Sequence, residues 1–274
     1  MSNTNSTTAH TTVHINGVDL AYRFDGPEHA PVVMLSNSLM SNWNMWDWNV
    51  PALADRYRVL RYDTRGHGRS GITPAPYSIE LLADDAAGLL DALGIQAVHF
   101  VGLSMGGMIG QQLGARYPHK VLSLSLCDTA SEMPPRSLWA ERLAIAEQQG
   151  VAGLVDGTIK RWFTAPFIER SPTDIAKVRA FILSTDAQGY IGCASAVRDM
   201  AQTTLLLKIK PPTLILTGRQ DPACTVEQAT VLHRMIDGSQ FQILEDAAHL
   251  ANIEQPAAFN RSLRAFIDRI DSQL

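Results

Sequence analysis

The chain alternates short apolar runs with longer amphipathic stretches. Eight runs stand out: VHI (13–15), LAYRF (20–24), VVML (32–35), YRVLRY (57–62), VHFVGL (98–103), LSLSLC (122–127), TLILTG (213–218) and FQIL (241–244). Most are rich in β-branched, aromatic or leucine side chains and too short for helices, as expected of strands buried in a core. The segments between them repeat apolar positions at helical spacing, as 78–93 does with Leu81, Leu82, Leu89, Leu90 and Leu93. Strands separated by helices need crossover connections. The pattern therefore predicts an α/β fold, a mostly parallel eight-stranded sheet flanked by helices and opening with an antiparallel hairpin.

The rhythm breaks between the sixth and seventh runs. Residues 131–207 carry helical patterns, Trp139, Trp162 and several arginines, with Pro134-Pro135 near the entry and Pro211-Pro212 beyond the exit. The expected organisation is a flexible tail at 1–12, a core built from 13–130 and 208–274, and a helical cap at 131–207. A cap inserted there lies over the carboxyl ends of the strands, where open α/β sheets bind ligands.

Composition narrows the function. With 274 residues, 46% hydrophobic and 18% charged, the chain can bury a full core. The net charge of −4 and the scattered Lys and Arg residues leave no basic field for nucleic acid. No apolar run approaches the roughly 18 residues of a membrane span, and MSNTNSTTAHTT lacks the pattern of a secretory signal, so a cytoplasmic location is expected. Without such a signal, the acceptor triplet Asn5-Ser6-Thr7 reads as chance. Cys127, Cys193 and Cys224 are too few and too far apart for a disulfide framework or a zinc site. Neither a metal nor an organic cofactor is expected, and the protein should act as a monomer or homodimer.

The chemistry centres on Gly102-Leu103-Ser104-Met105-Gly106. A bare G-x-S-x-G pattern arises by chance in about one chain in ten of this length and composition, so context must carry it. Here the motif ends an apolar run and opens a helical pattern, the setting of a nucleophile elbow. A serine hydroxyl needs a base within hydrogen-bond reach, and the base needs an orienting carboxylate. Asp221, in TGRQDP after the seventh run, fits the acid; His249, in EDAAHLANIEQP after the eighth, fits the base. Asp128, at the end of the sixth run, is an alternative acid. The remaining histidines lie in the tail, in strands, near helix ends or too early in the chain order. Oxyanion donors are expected from the backbone N–H groups of Met105 and of Leu39, in LSNSLM.

These motifs give the chain, over nearly its whole length after the tail, a resemblance to the α/β-hydrolase superfamily. More narrowly, it resembles the 3-oxoadipate enol-lactonases of bacterial aromatic catabolism, through LSNSL (35–39), MWDWNVPAL (45–53), YRVLRYDTRGHGRS (57–70), GLSMGGMIGQ (102–111), TGRQDP (217–222) and HLANIEQPAAF (249–259). The family's Ser, Asp and His map onto Ser104, Asp221 and His249. One departure lies beside the oxyanion loop, where Met40 stands at a position that these lactonases often fill with Gly. The resemblance implies a cap inserted between strands 6 and 7 and a small lactone substrate carrying a carboxylate. Arg136, Arg142, Arg161, Arg179 and Arg198 are the cap candidates for that carboxylate, with Arg161 preferred as its partner and Trp139 as a ring over the substrate. DTRGHGRS, with Asp63, Arg65, His67 and Arg69, reads as a loop pinned by charge-assisted hydrogen bonds, and the aromatic stretch WNMWDWN as packing. Competing functions are another carboxylesterase or carbon–carbon bond hydrolase, or a ligand-binding protein with an idle triad.

Overall fold

A computed structural model describes residues 11–273. Strand β1 (Thr11–Ile15) pairs antiparallel with β2 (Val18–Asp25). This corrects one boundary: Thr11 and Thr12, expected in a flexible tail, are laddered to Tyr22 and Ala21, because β2 offers them a hydrogen-bonding edge. The rest of that tail, with Asn5-Ser6-Thr7, lies outside the described residues.

The sheet continues through β3 (Val32–Ser36), β4 (Arg58–Tyr62), β5 (Val98–Leu103), β6 (Val121–Cys127), β7 (Thr213–Gly218) and β8 (Gln240–Leu244). Its order is β1-β2-β4-β3-β5-β6-β7-β8, with β2 antiparallel to β4 and every pair from β4 to β8 parallel. All six residues of β5 and all six of β7 are buried. Coverage on both faces explains why these runs are apolar without alternation. Helices α1 (Ile79–Ala92) and α2 (Met105–Arg116) follow β4 and β5. Ser78 caps α1 by accepting from the Leu81 N–H at 3.1 Å, where the amphipathic pattern begins.

Between β6 and β7 the chain forms α3 (Arg136–Gln149), α4 (Val155–Trp162), α5 (Ala165–Arg170), α6 (Pro172–Leu183) and α7 (Ala187–Asp199). Their apolar faces, including Trp139, Ile159, Phe167, Phe181 and Val197, join the same hydrophobic core as the sheet. The chain ends with α8 (Val226–Met235), the short α9 (Ala251–Glu254) and α10 (Pro256–Asp271). Trp43 and Trp46 are buried in a 3-10 turn after β3, and the Trp46 indole donates to Asn37 Oδ1 at 2.9 Å. Among the described residues no helix is long and apolar enough to cross a membrane.

Candidate active site

Ser104 stands between the end of β5 and the first residue of α2 with φ 57° and ψ −118°. A non-glycine residue adopts such a backbone only when its surroundings impose it. The Ser104 N–H donates to the Cys127 carbonyl at 2.9 Å, while its own carbonyl accepts from the Met108 N–H at 3.0 Å and from Thr129 Oγ1 at 2.7 Å. The flanking glycines permit this packing. A Cβ on Gly102 would lie 2.1 Å from the Gly106 carbonyl oxygen, and one on Gly106 would lie 2.1 Å from the Ser36 carbonyl oxygen. Those obstacles are backbone and cannot swing aside, so the turn closes only with glycine at both places.

His249 follows β8 and Asp221 follows β7. Their side chains meet, with His249 Nδ1 at 2.8 Å from Asp221 Oδ2. Asp221 Oδ1 accepts from the N–H groups of Ala223 at 2.7 Å and Cys224 at 3.0 Å, which fixes the carboxylate plane. With Nδ1 carrying the proton of that bond, Nε2 is left as the basic nitrogen. Ser104 and His249 line one cavity. Asp128 is used differently: its Oδ1 accepts from the Gly218 N–H at 2.7 Å, and no bond joins it to His249. Burial, reinforced by the charge of Asp221, pushes its carboxyl well above the usual range.

Asp221, Cys224 and His249 present donor atoms within 4.8 Å of one another. Metal ligation would need a thiolate, and burial raises the Cys224 thiol well above its ordinary pKa. The trio therefore fits an oriented acid–base pair beside an inert thiol better than it fits a metal site.

The loop after β3 faces the start of α2. Met105 is the first residue of α2, where N–H groups have no intrahelical acceptor. The amides either side of Leu39 are engaged: Ser38 N–H points to Met45 Sδ at 3.3 Å, and Met40 N–H donates to His67 Nε2 at 3.0 Å. Among the described residues the Leu39 N–H has no such acceptor, and Leu39 lines the cavity. His67 belongs to DTRGHGRS, whose other members pin the surrounding loops. Asp63 accepts from the N–H groups of Trp43 at 2.7 Å and Arg69 at 2.9 Å, and Arg65 grips Asp85 through two bonds of 2.7 Å. Burial holds the His67 imidazole down to about 4, so it accepts from Met40 as a neutral ring.

The helices after β6 supply the opposite wall through Trp139, Arg142, Arg161 and Trp162. The five arginines named from the sequence now separate. Arg136 and Arg198 pair with Asp199, and Arg179 pairs with Asp156. Arg142 and Arg161 line the cavity, and among the described residues neither forms an ion pair. Arg142 is held by neutral groups, donating through Nε to the Tyr190 hydroxyl at 3.1 Å. Arg161 has its pKa lowered, first by burial and then by the positive charge of Arg142. Two half-buried cations thus share one wall of the cavity without an acid beside them among the described residues. Trp139 donates its indole N–H to the Met133 carbonyl at 3.0 Å, and Arg142 lies 5.7 Å from its ring.

The sequence pattern does not choose among the five cap arginines, and the preference for Arg161 leaves out Arg142, which lines the same cavity. The available signal was helical spacing, since Trp139 and Arg142 stand three apart and share a face of α3. Glu254, in the NIEQP stretch, was missed as a tether. It accepts from Ala248 N–H at 2.9 Å, from Thr164 N–H at 3.2 Å and from Thr164 Oγ1, joining the His249 loop to the end of α4. Only the three-dimensional contact reveals that role.

Comparison with known proteins agrees with this fold. A family model described as alpha/beta hydrolase fold matches residues 31–161. A 3-oxoadipate enol-lactonase of Acinetobacter baylyi is 35% identical over 95% of this chain and 97% of its own length. The crystal structure of the enol-lactonase from Burkholderia xenovorans superposes with a TM-score of 0.92 at 39% identity, covering 94% of this chain and 100% of that one. A putative carbamate hydrolase, RutD of Pseudomonas syringae, is 29% identical over 90% of this chain and 98% of its own.

Proposed function

The chain belongs to the α/β-hydrolase family and is a hydrolase, and we propose that it opens 3-oxoadipate enol-lactone to 3-oxoadipate with Ser104 as nucleophile. The observation that carries the substrate reading is the charge of the cavity. Arg142 and Arg161 line it together with Ser104 and His249, and no Asp or Glu neutralises either one among the described residues. A neutral ester gains nothing from two unpaired cations. A small lactone with a carboxylate answers both of them, and two relatives carry the enol-lactonase name.

In this reading the carboxylate docks on the arginines, Trp139 covers the ring, and the carbonyl oxygen points at the N–H groups of Leu39 and Met105. His249 Nε2 takes the Ser104 proton as Oγ attacks the carbonyl carbon, and Asp221 steadies the imidazolium. The tetrahedral intermediate collapses by breaking the ring C–O bond. His249 returns the proton to the departing enol oxygen, which stays tethered through the acyl group. A water then gives its proton to Nε2 and attacks the ester carbon, releasing the acid and restoring Ser104. The enol relaxes to the ketone, which draws the reaction toward product. This chemistry belongs to the β-ketoadipate route of aromatic catabolism.

The test is loss of the enol-lactone's ultraviolet absorbance with wild type and Ser104→Ala, beside its methyl ester and a small carbamate. Rapid loss confined to wild type, with the free acid preferred over both comparators, is the expected result. Preference for the carbamate would move the substrate assignment toward the relatives named for that reaction.

A further inference from the structure

We propose that Met40 is a positioning and specificity-determining residue that ties the Leu39 oxyanion loop to the arginine facing the substrate carboxylate; the inference rests on the carboxylate reading above. Met40 has φ 61° and no exposed surface. A residue with a Cβ occupies the left-handed region there only if held from both ends. The backbone end is the bond from Met40 N–H to His67 Nε2 at 3.0 Å. The side-chain end is Sδ, which accepts from Arg142 Nη2 at 3.7 Å and from Thr158 Oγ1 at 3.9 Å. Arg142 belongs to α3 and Thr158 to α4, so this one buried side chain touches two helices of the opposite wall.

The chemistry of the contact matters as much as its location. Arg142 is oriented by the Met40 thioether and the Tyr190 hydroxyl, both neutral acceptors. A carboxylate in either place would fix the guanidinium equally well but cancel the charge that an anionic ligand needs. The thioether is a weak, polarizable acceptor on an unbranched chain, able to reach the guanidinium from a loop and fill the space between. Through Met40 the distance from the cation to the adjacent Leu39 N–H is set. A substrate anchored by its carboxylate at Arg142 then presents its carbonyl where the oxyanion donor stands.

Met40 should therefore contribute to kcat/KM for anionic lactones more than for neutral ones. The experiment measures kcat/KM for the enol-lactone as free acid and as methyl ester, in wild type, Met40→Leu, Met40→Gly and the double variant Arg142→Gln/Arg161→Gln. Leucine keeps the bulk and removes the acceptor; glycine also relieves the backbone. The acid-to-ester ratio is read because it cancels any general loss of active protein. The expected result is a ratio about three- to tenfold lower in Met40→Leu, at least as low in Met40→Gly, with the change residing mainly in KM for the acid. Unchanged ratios in both Met40 variants, with the ratio collapsed in Arg142→Gln/Arg161→Gln, would overturn the role of Met40 and leave the carboxylate reading standing. A wild-type ratio in Arg142→Gln/Arg161→Gln as well would overturn both.

Discussion

Replacing His67 by glutamine should flatten the acid side of the stability profile. The imidazole is buried and neutral, with its pKa held down to about 4 against an ordinary value of 6.5. Below 6.5 the unfolded chain takes up a proton that the folded chain refuses, so stability falls as pH falls, and the loss levels off only near 4. Between pH 7 and pH 5 this difference is worth about 2 kcal/mol, nearly all of it arising below pH 6.5. A glutamine side chain there would offer a carbonyl oxygen near the place of Nε2 and keep an acceptor for the Met40 N–H, without a titrating group. Urea denaturation of wild type and His67→Gln at pH 7, 6 and 5 isolates the effect. Asp63 works in the opposite direction: burial raises its carboxyl to about 6, so its contribution is present at low pH and lost as pH rises through that value. Its contribution is common to both proteins and cancels in the comparison. The gap between the two unfolding free energies should shift by about 2 kcal/mol from pH 7 to pH 5, in favour of the variant. Parallel profiles would mean that His67 is not held neutral by burial, and the account of the Met40 amide would fall with it.

Other outcomes follow from the same geometry. Asp221→Asn, which removes the partner of His249 Nδ1, should cut kcat by about 10³- to 10⁴-fold, whereas Asp128→Asn, which keeps an Oδ1 acceptor for the Gly218 N–H, should cost less than about fivefold; equal losses would make Asp128 a partner in the acid's role. Arg161→Gln should weaken kcat/KM for the free acid by about 10- to 150-fold and leave the methyl ester nearly untouched, because it removes a charge-assisted contact of about 1.5–3 kcal/mol. Gly106→Ala forces a Cβ to within 2.1 Å of the Ser36 carbonyl oxygen, so thermal unfolding should show at least about 1–3 kcal/mol of destabilisation. A melting temperature matching wild type would show that the elbow relaxes freely.

The sheet was legible because its strands are buried on both faces, as the unbroken apolar runs of β5 and β7 announce. Chain order carried the pairing of Asp221 with His249, since each follows a strand at the same end of a parallel sheet. Besides the Glu254 tether, three features were not legible. The start of β1 at Thr11 depends on what β2 offers across the hairpin, and threonines in a polar stretch carry no apolar signal. The selection of Arg142 and Arg161 depends on which acids are near the other cap arginines, a matter of tertiary contact. Met40 looked like a family departure at one loop position; its sulfur contacts with α3 and α4 span more than a hundred residues of sequence.

The decisive measurement is the site of covalent modification by a fluorophosphonate, read by peptide mass spectrometry in wild type, Ser104→Ala and His249→Ala. The account predicts one adduct, on Ser104, absent from Ser104→Ala, strongly slowed in His249→Ala, and formed in step with loss of lactone hydrolysis. Hydrolysis that continues with Ser104 fully modified, or that survives in Ser104→Ala, would contradict it.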